Sequence, residues 1–598
     1  MPNPRMGGKP PIESRKPKNT KKTLSRLLKY LNKYWFYLLI SFICIAFVTL
    51  GTVYATRLIG VAIDQYITKY DFAGLAKVCS MLLAIYVGSS LCMWLQSYLL
   101  LLVGQNVVAT IRKELFEKIQ RLPLKYFDTT THGEIMSRVT NDVDNISMAL
   151  NNSISQVLQS GLTLIGTFAM MLYLNISLTI ASIVTIPILL IVTKAITTRS
   201  RKNYKEKQER LGKLNGYIEE IISGQKVVKV FCQEDEMTQA FSEKNNDLLK
   251  VGIRAEIFSG IIAPIMMALN NISYAIVVAV GGLMMVMGMP MTLGTISNFI
   301  IYSKQFTRPL NELANQVNAM MAAFAGAERV FEVLDEPEEM KDQPNSVALN
   351  DVKGDVVLSS VDFSYEEGHP ILKEVNLYAK PGQTIALVGP TGAGKTTIIN
   401  LLTRFYDIDK GTITIDGREI KDIKRKSLRS NLGIVLQDTY LFTDTIRENI
   451  RYGRLDAKDD EIIAAAKLAN AHEFIRRLPD GYDTVLTDGG GNLSQGQRQM
   501  LAIARAILAN PSVLILDEAT SSVDTRTEVK IQEAMQNLMK GRTSFVIAHR
   551  LSTIKDADLI AVINHGEIIE RGNHEELMAK KGFYHSLYSN QFESEKAV

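Results

Sequence analysis

Cysteine is scarce, with four in 598 residues. Cys44, Cys79, Cys92 and Cys232 have neither metal-ligand spacing nor the pattern of a disulfide framework, so all four read as packing residues. Charge of one sign is also lacking. Lys and Arg number 67 against 62 Asp and Glu, a net +5, which gives no reason to expect nucleic acid as a partner. No cleavable signal peptide is expected either. The first apolar run starts late, is too long, and is followed by no small-residue cleavage site.

What is present is uneven. Overall, 46% of residues are hydrophobic and 22% charged, ordinary values that conceal a split. Crossing a bilayer core takes about 20 apolar residues in a helix, and six stretches qualify: 35–59, 75–103, 154–174, 178–195, 257–287 and one from 293 onward. Ahead of the first lie Arg5, Lys9, Arg15, Lys16, Lys18, Lys21, Lys22, Arg26, Lys29 and Lys33. The long polar connections 105–144 and 197–256 are basic too, with Arg112, Lys113, Lys118, Arg121 and Lys125 in one and Arg199, Arg201, Lys202 and Lys205 in the other. Positive charge resists translocation, so the N-terminus and both connections are placed in the cytoplasm. An even number of spans returns the C-terminal half to that side.

Few charges fall inside the six runs, whereas a proton relay or ion pathway would need them. Met266, Met267, Met284, Met285, Met287 and Met289 crowd the fifth run and the turn after it. They read first as helix packing or lipid contact, and second as an adaptable surface. From 332 the chain turns acidic, and from 356 short β-branched strands alternate with helices. The expected layout is a basic cytoplasmic tail at 1–24, a six-helix membrane domain with long cytoplasmic extensions at 25–331, a linker at 332–354, and an α/β P-loop ATPase domain at 355–598.

That last domain carries the chemistry. Gly389-Pro-Thr-Gly-Ala-Gly-Lys395-Thr396 follows the apolar strand 384–388 and opens a helix. Glycines allow backbone N–H groups to close around phosphates, and the helix N-terminus favours negative charge. Gly389, Thr391, Gly392, Ala393, Gly394, Lys395, Thr396 and Thr397 are therefore the expected nucleotide-binding residues. Lys395 would reach the β- and γ-phosphates, and the Thr396 hydroxyl would coordinate Mg²⁺. About 120 residues later the apolar run 513–516 ends in Asp517 and Glu518. Asp517 is expected near the metal and Glu518 as the general base for water. ATP and Mg²⁺ are the expected cofactors.

Leu493-Ser494-Gln495-Gly496-Gln497 resembles the signature of ABC ATPases, usually LSGGQ, with Gln495 departing at the third position. The resemblance spans nearly the whole chain and is to exporter-type half transporters of the multidrug and lipid group. It implies that Tyr365 stacks on adenine, that Gln437 contacts Mg²⁺ and senses the membrane domain, that Ser522-Val523-Asp524 is a D-loop, and that His549 is the switch histidine touching the γ-phosphate. It implies further that two such chains pair head to tail, with Ser494, Gln495, Gly496 and Gln497 serving the partner's ATP. The segments 123–128 and 223–231 match its coupling helices.

The partner is then a second half transporter. Gln495 resembles one subunit of bacterial heterodimeric multidrug exporters, which favours a heterodimer over a homodimer. The implied function is export of hydrophobic or amphipathic compounds by alternating access through the cell (inner) membrane. Flipping of a lipid or lipid-linked precursor is the alternative. A channel on the same scaffold fits less well, because Glu518 is intact. A soluble ABC ATPase acting on DNA or ribosomes is excluded by the apolar spans.

Overall fold

The computed structural model describes residues 19–592 except 340, 367, 437–438, 488, 518–523 and 548–553. The chain divides into two compact units. One holds 1–120 and 132–336, the other 121–131 and 337–598.

The first unit is helical. A short amphipathic helix, α1 (Thr20–Asn32), buries Leu27 and Leu31. The apolar α2 (Trp35–Val61) begins with an exposed aromatic group, Trp35, Phe36 and Tyr37, as suits a membrane–water interface. A π-helical turn over Ala62–Ile67 extends it. Then comes α3 (Phe72–Ile119), started by the Asp71 side chain, which accepts from the Gly74 N–H. Its Leu83, Leu91 and Trp94 are exposed, as a lipid-facing surface requires. Beyond α4 (Leu124–Thr129) the chain runs through α5 (His132–Ser137), α6 (Val143–Met148) and α7 (Ile154–Leu174), joined by π-helical turns.

Asn175 caps α8 (Ile176–Ser223), its side chain accepting from the Leu178 N–H. The short α9 (Gln225–Val230) turns the chain back into α10 (Glu234–Gly260). The last two helices of this unit are α11 (Ile262–Val286) and α12 (Leu293–Asp335). Among the described residues, four helical stretches have the length and composition to cross a membrane: Trp35–Ile67, Phe72–Ile119, His132–Leu174 and Met267–Val286. The two other apolar runs lie within α8 and α12.

Two differences from the sequence reading have physical reasons. Helix α12 runs on to Asp335, past the expected start of the linker, because Val330, Phe331 and Val333 bury themselves and Arg26 pairs with Asp335 at 2.6 Å. Of the cysteines, only Cys44 is fully buried. Cys232 is exposed and lies two residues past α9 at φ 52°, a turn position rather than a packing one.

The second unit is α/β. Strands β1 (Val356–Ser364) and β2 (Pro370–Ala379) lead to β3 (Thr384–Val388), which enters α13 (Lys395–Leu402). There follow β4 (Lys410–Ile415), β5 (Arg418–Glu419), α14 (Arg425–Ser430) and β6 (Leu432–Val435). A helical section contains α15 (Ile446–Arg451), α16 (Asp459–Leu468), α17 (His472–Ile475) and α18 (Gln495–Ala509). The chain closes with β7 (Val513–Asp517), α19 (Thr525–Met539), β8 (Thr543–Ile547), β9 (Leu559–Asn564), β10 (Glu567–Gly572), α20 (His574–Lys580) and α21 (Phe583–Phe592).

Four strands form an antiparallel sheet in the order β2-β1-β4-β5, and six form β10-β9-β3-β8-β7-β6. In the larger sheet β9, β3, β8, β7 and β6 are parallel. Strands covered on both faces read as continuous apolar runs. That is why TIALV, VLIL and TSFVI look alike and are buried except for half-buried Thr384. Parallel strands place their C-terminal ends together, so the loop after β3 and the acidic end of β7 lie at one edge, separated by β8.

Candidate nucleotide-binding site

The loop after β3 holds its shape through glycine. Gly389 has φ 156° and its Cβ would strike the Ile563 carbonyl, while Gly394 has φ 107° and its Cβ would strike the Leu372 side chain. No L side chain fits either position comfortably. The loop delivers Lys395 to the first turn of α13, where it is buried. Its Nζ donates to the carbonyl oxygens of Gly389 at 2.7 Å and Pro390 at 2.9 Å. Burial lowers its pKa, opposed by attraction to the Asp517 carboxylate. The lysine is thus held over the loop with Asp517 near enough to act on it. Thr391, Gly392 and Thr396 are exposed, while Ala393, Gly394 and Thr397 are buried.

Tyr365 stands just past β1. Its hydroxyl donates to Thr397 Oγ1 at 3.3 Å and accepts from Asn400 Nδ2 at 3.1 Å, which ties it to α13. Its ring meets Phe363 and Tyr406 edge to face, with centroids 4.8 and 5.0 Å apart. Tyr365, Glu366, Tyr406, Asp409 and Asp128 line an open cleft of about 910 Å³, and Tyr406 donates to the Asp128 carboxylate. Asp128 belongs to α4, which clusters with this unit. Sequence reading picked out Tyr365 and the 123–128 segment but missed Tyr406, because nothing local marks a tyrosine 278 residues from its partner.

The signature residues start α18. Ser494 Oγ accepts from the Gln497 N–H at 3.3 Å, and Gln497 Oε1 accepts from the Ser494 N–H at 2.9 Å. This is a capping box, the S-x-x-Q pattern that satisfies two free N–H groups at a helix start. Gln495 is the first residue of the helix. A helical position does not demand glycine, so the departure from LSGGQ leaves the local geometry sound. Gly496 is buried and Ser494 exposed at the start of this 15-residue helix.

Gln437, Glu518, Ser522, Val523 and His549 lie outside the described residues. Asp524 caps α19 by accepting from the Thr527 N–H at 3.0 Å, which lowers its pKa. Among the described residues no cluster of three or more His, Cys, Asp or Glu could hold a metal alone. The Thr396 hydroxyl and the Asp517 carboxylate do suit Mg²⁺, which takes few protein oxygens when phosphates supply the others.

A glycine loop between a parallel strand and a helix, with a lysine over it and an aspartate two strands away, defines a P-loop nucleoside triphosphatase, here joined to an apolar helical domain. The chain belongs to the ABC transporter family. The pattern for an ABC transporter transmembrane region matches residues 38–310, and that for an ABC transporter matches 372–521. The chain is 50% identical to the ABC transporter ATP-binding protein YfiC of Bacillus subtilis (strain 168), over 97% of this chain and 96% of that protein. It is 46% identical to a fatty acid ABC transporter ATP-binding/permease protein of Mycobacterium tuberculosis, over 86% and 82%. It is 40% identical to the putative multidrug export ATP-binding/permease protein YgaD of B. subtilis, over 82% and 84%. A membrane domain and one ATPase fused in this way make an exporter half transporter of the multidrug or lipid type. Such chains work as dimers in the membrane and couple ATP hydrolysis to transport.

Proposed function

We propose that this chain is one half of a multidrug-type exporter, which moves hydrophobic or amphipathic compounds outward by alternating access with a second half transporter. One observation carries the reading. Helices α3, α8 and α12 are 48, 48 and 43 residues long. At a rise of about 1.5 Å per residue they reach about 65–72 Å, more than twice a hydrocarbon layer of about 30 Å. Each continues past the bilayer as a rigid lever, and the tip beyond α3 travels with the ATPase unit. The tip beyond α8 carries exposed Val227, Val230 and Phe231, apolar groups suited to the partner's ATPase.

In the ATPase, amides of 391–397 hold the phosphates. Lys395 turns from its own loop carbonyls to the β- and γ-phosphates, and Tyr365 lies against adenine. Thr396, Gln437 and Asp517 would hold Mg²⁺, which would supply positive charge against the phosphates. Glu518 takes a proton from water as the water oxygen bonds to the γ-phosphorus and the bond to the ADP oxygen breaks. His549 hydrogen-bonds the γ-phosphate, and the N-terminus of α18 faces the partner's nucleotide. Because Gln495 resembles the heterodimeric pattern, the second chain is a different half transporter.

A lipid or lipid-linked precursor is the second reading for cargo, supported by the fatty acid transporter among the relatives. The test is Mg²⁺-dependent ATP hydrolysis by this chain alone in membranes, with Glu518→Gln as control. Glu518-dependent turnover supports the site and shows a working homodimer. Folded protein without turnover supports the heterodimer. Equal turnover in the variant overturns the base assignment.

A further inference from the structure

Helix α13 carries Lys395 in its first turn, and its other end is held from two sides. The helix is eight residues long, about 12 Å at a rise of about 1.5 Å per residue. A body that short moves as a unit, so whatever grips 403–406 also sets where Lys395 stands. Arg404 follows the helix at φ 53°, a left-handed conformation that usually belongs to glycine at this position. Its own buried side chain pins it there, donating to Asp407 at 3.1 Å and to the Ile420 carbonyl at 3.0 Å.

Arg429, the fifth residue of α14, takes the carbonyls that the helix end leaves over. Its Nε donates to the Thr403 carbonyl at 3.2 Å and its Nη2 to the Arg404 carbonyl at 2.9 Å, while the guanidinium lies 5.0 Å from the Phe405 ring. A cation suits the negative end of a helix. The same guanidinium is clipped to the linker. Nη2 and Nη1 donate to the Glu339 carboxylate at 2.5 and 3.3 Å, a charge-assisted two-point contact that fixes direction as well as distance. The Glu339 N–H donates to the Arg121 carbonyl at 2.9 Å, in the lead into α4. Asp342 accepts from the Arg425 N–H at 3.1 Å, so the linker holds α14 near both its ends. Glu339 comes four residues after Asp335, where α12 stops. From the other side of the same segment, Tyr406 donates to Asp128 of α4.

We propose that Arg429 is a positioning residue for the P-loop lysine, acting through the C-terminal end of α13, and that Glu339 ties it to the chain leaving α12. The linker and the end of the P-loop helix converge on one guanidinium. A shift of the linker then reaches Lys395 through Arg429, by a path separate from the Asp128–Tyr406 contact. Only a planar fork reaches the two carbonyls and the carboxylate together, which is why the residue is arginine and not lysine.

The test is Mg²⁺-ATP turnover by the purified dimer in nanodiscs, with any second chain that accompanies it, read as KM and kcat separately beside the thermal unfolding midpoint. Arg429→Ala should raise KM for ATP at least fivefold while kcat stays within twofold. Arg429→Lys, which keeps the charge and loses the fork, should fall between it and the wild type. Glu339→Gln leaves the carbonyl contacts of Arg429 in place and should raise KM two- to threefold. The double variant Glu339→Gln/Arg429→Ala should be no worse than Arg429→Ala, because Glu339 acts through Arg429. Two glycines inserted after Pro337 keep both residues but slacken the tie to α12, and should raise KM as Glu339→Gln does. If Arg429→Ala fails to fold, Arg429→Lys and Glu339→Gln carry the same test. An unchanged KM with a lowered midpoint would show a contact that serves folding alone and overturn the proposal. Additive losses in the double variant, or a wild-type KM in the slackened linker, would overturn the tie.

Discussion

The Tyr406 phenol donates to the carboxylate of Asp128 across 278 residues of sequence, and the Tyr406 ring lies edge to face on Tyr365. Burial, then the Asp128 hydrogen bond, raises the Tyr406 pKa, so the phenol remains a donor at neutral pH. This contact joins α4 to the aromatic group beside the P-loop. Tyr406→Phe keeps the ring and removes the donor. It should lower amphiphile-stimulated turnover several-fold while ATP binding stays within twofold. Asp128→Asn should do the same, and the double variant should lose no more than either single one. Additive losses would show that the two residues act separately.

Between α2 and α12, a Cβ on Gly294 would strike the Gly60 carbonyl and the Asp64 side chain, and one on Gly60 would strike Asn298. Gly294→Ala forces the helices apart at a backbone that has no room to yield. Overpacking of this kind costs about 1–3 kcal/mol. The thermal unfolding midpoint in detergent should fall, and an unchanged midpoint would show that the outer ends of the helices are not tightly joined.

Ser494 is the N-cap of α18 and, in the proposed function, a contact for the partner's phosphate. Ser494→Ala should cost about 1 kcal/mol as a lost N-cap and should also cut turnover at the partner's site. Ser494→Thr keeps the cap. If Ser494→Ala reduces stability and leaves turnover intact, the N-terminus of α18 serves folding alone.

His574 is hydrogen-bonded to the Tyr584 hydroxyl at 2.7 Å and starts α20. Its pKa is lowered by burial first, then by Lys555, with Glu575 opposing. The unfolded chain therefore takes up a proton near pH 6.5 before the native one does. The stability contributed by neutral His574 is present above that pH and is lost as pH falls through the lowered native value. Hydrogen exchange in α20 and α21, corrected for intrinsic rates, should speed up below pH 6.5, and His574→Gln should flatten that dependence. The same slope in both proteins would assign it to other groups.

The glycine loop between β3 and α13 was legible in the sequence because it is a contiguous string whose residue types phosphate binding dictates. Apolar run length picked out stretches that fall in α2, α3, α7, α8, α11 and α12. It did not show that those in α3, α8 and α12 continue without a break into 43–48-residue helices, since propensity changes little where apolar residues give way to charged ones. Tyr406 stayed hidden because its partner, Asp128, lies 278 residues away in the chain.

The central claim is that ATP hydrolysis at the site built on Lys395 and Glu518 moves an amphiphile across the membrane. The most direct measurement is accumulation of a labelled long-chain amphiphile in inside-out vesicles containing the dimer, with and without Mg²⁺-ATP, beside Glu518→Gln. The account predicts accumulation above the passive level only with ATP and only in the wild type. Equal accumulation without ATP, or undiminished accumulation in Glu518→Gln, would contradict it.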